Sequence, residues 1–172
     1  VFKKDIKGQY LILSVVYRFN RNHIPNIEYA PLKMAFKEKH KEALNISKIS
    51  EVVCDIRQSK LPDPGLIGNA GSFFKNPVVD KHTFLLLRER YSNMPAYQMD
   101  NGRFKVPAGW LIEQCGWKGR RFGNAGVHDK QALVLVNYGS ASGKEIYTLS
   151  ESIRNDVNEK FEICLEREVN VI

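Results

Sequence analysis

The chain has 172 residues, of which 43% are hydrophobic and 26% are charged. These values are typical of globular proteins, so they exclude a wholly disordered chain and allow one domain or two small lobes. The formal net charge of +7 favours an anionic partner, which could be nucleic acid, a membrane surface or a phosphorylated small molecule. No apolar run reaches the length of a membrane span, and no signal peptide is visible.

The first 44 residues predict one strand and one helix. The run QYLILSVVYRF (Gln9–Phe19) is rich in β-branched and aromatic residues, which predicts a strand. A loop with Pro25, Tyr29 and Pro31 follows it. The lysine-rich segment LKMAFKEKHKEAL after this loop is predicted to be helical.

An amphipathic helix is predicted in SKISEVVCDIRQSK, with Ser47 as its N-cap. Its apolar residues recur at helical spacing: Ile49, Val52, Val53 and Ile56. The helix must end before Leu61-Pro62, because proline disfavours helical geometry in the residue before it. Lys60 is therefore predicted at the C-terminus of this helix.

Four further elements are predicted between Asp80 and residue 137. A helix follows Asp80 in KHTFLLLRERY, and YQMDNGRFKV is a hairpin with its turn at Asp100-Asn101-Gly102. AGWLIEQCG is a short helix closed by Gly116, and ALVLVN is a buried strand.

The last part of the chain predicts a helix and a strand. Ser142 and Glu145 have the spacing of a capping box, and an apolar stripe follows them: Ile146, Leu149, Ile153 and Val157. EICLEREVNVI is a strand of period two, with four apolar residues on one face interrupted by Arg167. The opposite face carries Cys164, Glu166, Glu168 and Asn170. Mixed helices and strands in this order predict an α+β fold.

The cysteines and histidines do not predict a metal site. The three cysteines are isolated and the four histidines lie far apart, without the spacing of metal ligands. We expect reduced, mostly buried thiols in a cytosolic protein. GLIGNAG and GSASGKE do not match the dinucleotide or phosphate-loop patterns, and both are interpreted as turns or caps.

Small residues surround Ser72 in the stretch KLPDPGLIGNAGSFFKNP, where Gly68 and Gly71 let a backbone approach a ligand closely. Groups that could donate to an anion lie on either side: Lys60, Asn69, Lys75 and Asn76. The alternative interpretation is a tight glycine turn followed by a buried strand at Phe73-Phe74.

Five blocks of the sequence together resemble the UDP-N-acetylenolpyruvoylglucosamine reductases, in the same order: KLPDP, GNAGSFFKNP, KVPAGWLIEQCGWKG, QALVLVN and LEREVNVI. The resemblance covers nearly the whole chain. It implies a cytoplasmic bacterial flavoenzyme of peptidoglycan-precursor synthesis that uses FAD and NADPH. NADPH reduces the flavin, and the reduced flavin passes hydride to the enolpyruvyl group of a UDP-sugar.

The same resemblance implies roles for individual residues. Ser72 matches the serine that donates a proton to the carbon next to the substrate carboxylate, and Glu168 matches the glutamate that helps to stabilise the enolic intermediate. Glu166, on the same face, is expected to be a solvated charge. Residues matched to substrate binding are Lys60, Asn76, Gln131, Tyr29, Tyr97 and Lys105. Tyr29 resembles a tyrosine on a mobile loop over the nucleotide, and a plain packing role is the alternative.

The chain departs from the family pattern at its N-terminus. The family begins with a large FAD-binding region, and its catalytic arginine precedes the block that Val1-Phe2-Lys3 matches. The resemblance therefore assigns residues 1–60 and 161–172 to the remainder of the FAD-binding lobe and residues 61–160 to a smaller substrate-binding lobe. We expect this chain alone to bind FAD weakly and not to turn over NADPH, with its last strand, Phe161–Ile172, paired to Gln9–Phe19.

A small basic nucleic-acid-binding module is the alternative function, suggested by the net charge and the scattered aromatic residues. The basic residues do not cluster on one helix face or among aromatic residues, as such modules usually require. The reductase interpretation predicts no nucleic-acid or membrane partner and no metal. It leaves the residues that contact FAD and the oligomeric state open.

Overall fold

The computed structural model describes residues 6, 9–21, 24–38 and 45–171, which divide into two compact units, Val1–Val52 and Val53–Ile172. The helices are α1 Ala30–Glu38, α2 Ile46–Lys60, α3 Lys81–Arg90, α4 Ala108–Gln114 and α5 Gly143–Phe161. The strands are β1 Gly68–Ser72, β2 Val78–Val79, β3 Tyr97–Gln98, β4 Phe104–Lys105, β5 Arg121–Phe122, β6 Ala125–Val127 and β7 Val134–Asn137. The α+β class is confirmed.

In the first unit, the predicted strand Gln9–Phe19 is wrong. These residues form no β-bridge, and the side chains of Leu13, Val16 and Phe19 are 87%, 94% and 84% exposed. A strand is stable when its N–H and C=O groups pair with a neighbour, and propensity alone does not supply that neighbour. The predicted pairing of Gln9–Phe19 with Phe161–Ile172 is therefore also wrong.

Local capping explains where the helices begin. The Asn45 side chain accepts a hydrogen bond from the Lys48 N–H at 2.8 Å, so Asn45 caps α2 and the predicted cap at Ser47 is wrong. Asp80 caps α3, and Ser142 and Glu145 form the predicted capping box of α5. Of the predicted lysine-rich helix, α1 lies within the described residues, whereas residues 39–44 lie outside them.

The second unit contains two antiparallel sheets, with strand orders β1-β7-β6-β5 and β2-β4-β3. The predicted hairpin is confirmed as β3 and β4, with Gly102 at a φ of 73° in its turn. The predicted buried strand ALVLVN is confirmed as β7. The Arg121–Phe122 and Ala125–Val127 hairpin was not predicted, because each of its strands has at most three residues.

The hydrophobic core of the second unit lies between the four-stranded sheet and helices α4 and α5. The stripe predicted on α5 is confirmed, since Leu149, Ile153 and Val157 are buried and Ile146 is partly buried. On α4, Leu111 and Ile112 are fully buried. This packing holds α5 against the sheet face opposite to the candidate site.

The segment after α5 also packs on this core. Ile163 and Leu165 are buried while Cys164 and Glu166 are exposed, so the predicted period of two is confirmed there. The segment is not a full strand, however, because the only β-bridge it makes among the described residues joins Arg167 to Phe74. Helix α5 extends to Phe161, so the first residue of the predicted last strand belongs to the helix.

The environment of the cysteines differs from the prediction. All three thiols are free, yet Cys54 and Cys164 are exposed and Cys115 is partly buried. The expectation of mostly buried thiols is therefore wrong. Within the described ranges, no helix is both long and apolar enough to span a bilayer.

Candidate active site

Ser72 lies at the end of β1, and a β-bulge sets its orientation. Asn69 pairs with Val136 and Ser72 pairs with Val134, so three steps along β1 oppose two steps along β7. Paired side chains share a sheet face, and Val134 and Val136 share one by alternation. The extra residue therefore places Ser72 on the face of Asn69, which regular alternation would not do.

Gly71 supplies the backbone conformation that the bulge requires. Its φ is 71°, in the left-handed region that glycine adopts without a Cβ penalty. The Asn69 Oδ1 accepts a hydrogen bond from the Gly71 N–H at 3.0 Å, and the Asn69 Nδ2 donates to the Ile67 carbonyl at 3.0 Å. The amide predicted to donate to a ligand is thus used to hold the bulge.

Phe73 and Phe74 follow Ser72 and are buried in the core. The structure therefore combines both interpretations of this stretch: the glycine-rich residues are a bulged strand, and a buried aromatic pair follows it. Ser72 and Phe73 point to opposite sides of the strand. The Ser72 side chain is therefore exposed, while the Phe73 ring is buried in the core.

The C-terminal segment runs alongside this end of β1. The Glu168 N–H donates to the Phe73 carbonyl at 2.9 Å, and the Lys75 N–H donates to the Glu166 carbonyl at 2.8 Å. The backbone of Glu168 is thereby held next to the residue that follows Ser72, although the two are far apart in sequence. The predicted convergence of their side chains remains a prediction.

Lys75 and Glu166 form an ion pair beside these backbone bonds. Lys75 was expected to offer its ammonium group to a phosphate, and Glu166 was expected to be a solvated charge. The Glu166 side chain is 70% exposed, as expected of a solvated charge, and phosphate binding by Lys75 stays a prediction.

Asn76 has a structural bond that fixes its amide. Its Oδ1 accepts a hydrogen bond from the Ala108 N–H at 2.9 Å, in the first turn of α4. The N-cap of that helix is Pro107, which has no side-chain cap bond. Because the oxygen serves α4, the two amide hydrogens are the part of Asn76 that can donate to a ligand.

Gln131 lies where α4, β7 and the end of β1 come together. Its Oε1 accepts from the Leu133 N–H at 3.4 Å and lies 3.3 Å from where a Cβ on Gly109 would be. The Leu133 carbonyl in turn accepts from the Phe73 N–H at 2.8 Å. Gln131 is therefore linked through one residue to the strand that carries Ser72.

Tyr97 and Lys105 are direct cross-strand partners in the second sheet. Both are exposed, and the next residue, Val106, donates its N–H to the Pro77 carbonyl at 2.9 Å. This bond attaches the hairpin to the residue that follows Asn76. The two candidates therefore lie on an element joined to the same loop.

Lys60 is the last residue of α2, as predicted. Arg57 and Gln58 of this helix, with the turn after it, line a cavity of about 780 Å³. The other wall of the cavity includes Asn69, Gly71 and Val134. That wall belongs to the sheet face of Ser72. Tyr29 belongs to the other unit, where its carbonyl accepts from the Lys33 N–H at 2.9 Å, and its role remains a prediction.

Two features of this site were missed in the sequence. The bulged strand was missed because Gly68–Ser72 contains none of the residues that favour strands. This segment is a strand because it pairs with β7. Arg167 was treated as an interruption of an apolar face, whereas its guanidinium is bonded to α5. An arginine at an inward position of an alternating segment was the available signal.

Comparison with known proteins identifies the family to which the chain is similar. A family model described as the C-terminal domain of UDP-N-acetylenolpyruvoylglucosamine reductase matches residues 63–172. Curated reductases of that name are similar along the whole chain: 48% identity over 172 residues in Amoebophilus asiaticus and 47% over 173 residues in Flavobacterium johnsoniae. The protein from Pseudomonas putida is 45% identical over 171 residues, or 99% of this chain.

The chain spans about half the length of these relatives, namely 51%, 51% and 50%. The comparisons give no support to a nucleic-acid-binding module. Two findings decide the family of the chain. The family model matches residues 63–172, and the identity to the relatives is near one half along the whole chain. The chain belongs to the UDP-N-acetylenolpyruvoylglucosamine reductase family and contains its C-terminal domain.

Proposed function

We propose that this chain is the substrate-binding portion of a cytoplasmic enzyme that reduces the enolpyruvyl ether of UDP-N-acetylglucosamine to UDP-N-acetylmuramate. The observation that carries the proposal is the backbone bond from Glu168 to Phe73, which joins the two candidate catalytic segments beside Ser72. In this proposal residues 1–60 and 161–172 belong to the FAD-binding lobe and residues 61–160 to the substrate lobe. Ile163 and Leu165 of the returning segment pack in the core of the second unit.

FAD, reduced by NADPH, would supply the hydride for this reaction when bound. The sheet face at Gly71 has room for a flavin and a substrate to come close to the backbone. A Cβ added at Gly71 would meet nothing within 4 Å, and Gly71 also lines the cavity. The chain's own contribution is to bind the UDP-sugar and to hold its enolpyruvyl group over β1.

Ser72 would complete the reduction by donating its hydroxyl proton to the carbon next to the substrate carboxylate. A serine hydroxyl is a poor acid in water, so it can act only as a positioned donor to a strongly basic enolic carbon. Glu168, beside it, would help to stabilise the enolic intermediate in a site that excludes water. The bulge at Gly71 is what puts the hydroxyl on the substrate side of the sheet.

The remaining candidates would bind the UDP group. Lys60 and the amide hydrogens of Asn76 would meet the diphosphate, and Gln131 would hold the substrate nearby. Tyr97 and Lys105, as cross-strand partners on the hairpin, would contact the nucleotide. Tyr29 would contact the nucleotide in this proposal.

The test is a separation of the two half-reactions in the full-length enzyme carrying Ser72→Ala. Flavin reduction by NADPH should be unchanged, whereas reoxidation by the enolpyruvyl substrate should slow by roughly 10²–10⁴-fold, because only the second step needs the proton. Stopped-flow absorbance of the flavin measures both steps. Ser152→Ala is the matched control, since that hydroxyl donates to the Thr148 carbonyl within α5. Equal slowing of both steps would contradict the role of Ser72.

A further inference from the structure

Arg167 lies between Glu166 and Glu168 and is anchored to α5. Its Nε donates to the Ser150 Oγ at 2.9 Å, its guanidinium forms an ion pair with Glu151, and it lies 4.4 Å from the centre of the Tyr147 ring. The side chain is only 15% exposed. Three neighbouring residues of α5 thus fix one guanidinium group.

The anchor on α5 is itself held in place. Glu151 is also bonded to Arg154 at 2.8 Å, and the Arg154 Nε donates to the Leu165 carbonyl at 2.9 Å. The hydrogen bond from Arg167 lowers the pKa of Glu151, so this carboxylate is ionised at neutral pH. Two contacts therefore connect the C-terminal segment to α5: Arg167 binds Glu151, and Arg154 binds the Leu165 carbonyl.

On its other edge, the C-terminal segment pairs with Phe74 over a short stretch of backbone. The Phe74–Arg167 bridge is isolated, and two backbone bonds flank it. A two-stranded contact of this length is marginal by itself. The bonds that Arg167 makes to α5 therefore add to the contacts that orient the segment at this point.

We propose that Arg167 is a positioning residue that holds Glu168 beside Ser72. Successive side chains of an extended segment point to opposite sides, so fixing Arg167 toward α5 turns its two glutamate neighbours away from α5. Glu166 meets Lys75 there, and Glu168 is held by its N–H to Phe73. The inference rests on the proposed function, in which Glu168 stabilises the enolic intermediate.

The first experiment needs no cofactor and uses this chain. Amide hydrogen exchange should become about tenfold faster at Glu168 and Lys75 in Arg167→Ala, because their acceptors lie across the isolated bridge. Amides of β6 and β7 should keep their protection. Arg167→Lys should give the same result, since an ammonium group cannot reproduce the guanidinium's planar fork toward both Ser150 and Glu151.

Arg88→Ala is the matched control, because it removes a partly buried guanidinium that is bonded elsewhere in the second unit, to the Met94 carbonyl. It should leave exchange at Glu168 unchanged. Unchanged exchange at Glu168 in Arg167→Ala, or an equal increase at every amide, would overturn the positioning role.

The second experiment uses the full-length enzyme. Arg167→Ala should slow flavin reoxidation by the UDP-sugar about 10²-fold while flavin reduction and the Kd for the substrate stay unchanged, because misplacement of a catalytic group by about 1 Å can have that effect. If Arg167→Ala speeds amide exchange at Glu168 but leaves flavin reoxidation at its normal rate, the positioning of Glu168 by Arg167 does not matter for catalysis. Failure of the unaltered full-length enzyme to be reoxidised by the UDP-sugar would instead refute the proposed function.

Discussion

At the scale of single residues, the orientation of Ser72 depends on the backbone of Gly71. Alanine at position 71 should destabilise the fold by about 1–2 kcal/mol, because a residue with a Cβ is strained at a φ of 71°. The cause would be backbone strain and not a clash, since a Cβ there meets nothing within 4 Å. Urea denaturation of Gly71→Ala measures the loss.

Gly143→Ala is the control for this prediction. Gly143 begins α5, its added Cβ also meets nothing within 4 Å, and its φ lies outside the left-handed region. Its replacement should be neutral or slightly stabilising, because alanine favours helices. Equal effects of the two substitutions would show that the bulge does not require glycine.

The Asn76 side chain combines a structural role of its oxygen with a proposed binding role of its NH₂ group, and two substitutions can test these roles separately. Asn76→Asp keeps an acceptor for the Ala108 N–H, so the stability should change little, whereas Asn76→Ala should cost about 1 kcal/mol. Both should weaken the binding of UDP to the full-length enzyme, because both remove the amide donors. Denaturation and titration calorimetry measure the two effects. Full binding by Asn76→Asp would exclude the amide as a diphosphate donor.

At the scale of elements, the helices could be predicted from local signals in the sequence. The strands were harder to predict, because they depend on pairing with residues that are distant in the sequence. Asp80, Ser142 and Glu145 lie within three residues of the backbone groups they cap, so the sequence alone places the starts of α3 and α5. The run Gln9–Phe19 has strong strand propensity and no strand partner, whereas Gly68–Ser72 has weak propensity and pairs with β7. The site residues were predicted by family resemblance. The bulge that orients Ser72 and the bonds from α5 to the C-terminal segment are three-dimensional contacts, and the sequence does not show them.

The contact between α5 and the C-terminal segment should depend on pH. Hydrogen bonding from Arg167, reinforced by Arg154, lowers the pKa of Glu151 below its ordinary value of 4.5 in the folded state. The stabilisation from Glu151 is therefore complete above pH 4.5 and is lost as the pH falls through the lower, folded-state pKa. Glu151→Gln should remove this part of the pH dependence.

Urea denaturation at pH 7, 4 and 3 checks this prediction. The difference in unfolding free energy between the unaltered chain and Glu151→Gln should shrink as the pH falls. Asp80 and Glu145 also have lowered pKa values, but both are present in the two proteins and cancel in the difference. A difference that stays constant with pH would contradict a charged role for Glu151.

At the scale of the whole molecule, the two units differ in how well they bury their apolar residues. The second unit has a continuous core that includes Phe74, Leu111, Ile153 and Leu165. In the first unit, the run from Tyr10 to Phe19 carries eight large hydrophobic side chains that are each more than half exposed. Contiguous apolar surface of this kind marks sites of association. The net charge of +7 opposes association but is spread over the chain.

We expect this chain to self-associate through residues 10–19. The exposed apolar side chains of this segment can pack against the same segment of another copy, and their burial would favour the contact. Sedimentation velocity should show a weight-average mass that rises with protein concentration. The double substitution Leu13→Lys with Val16→Lys should reduce that rise, because it places charge at positions that are 87% and 94% exposed and contribute little to folding. Leu66→Lys, at a position 85% exposed in the second unit, should leave the association unchanged. A monomer at every concentration, or equal effects of the two variants, would show that residues 10–19 do not carry the association.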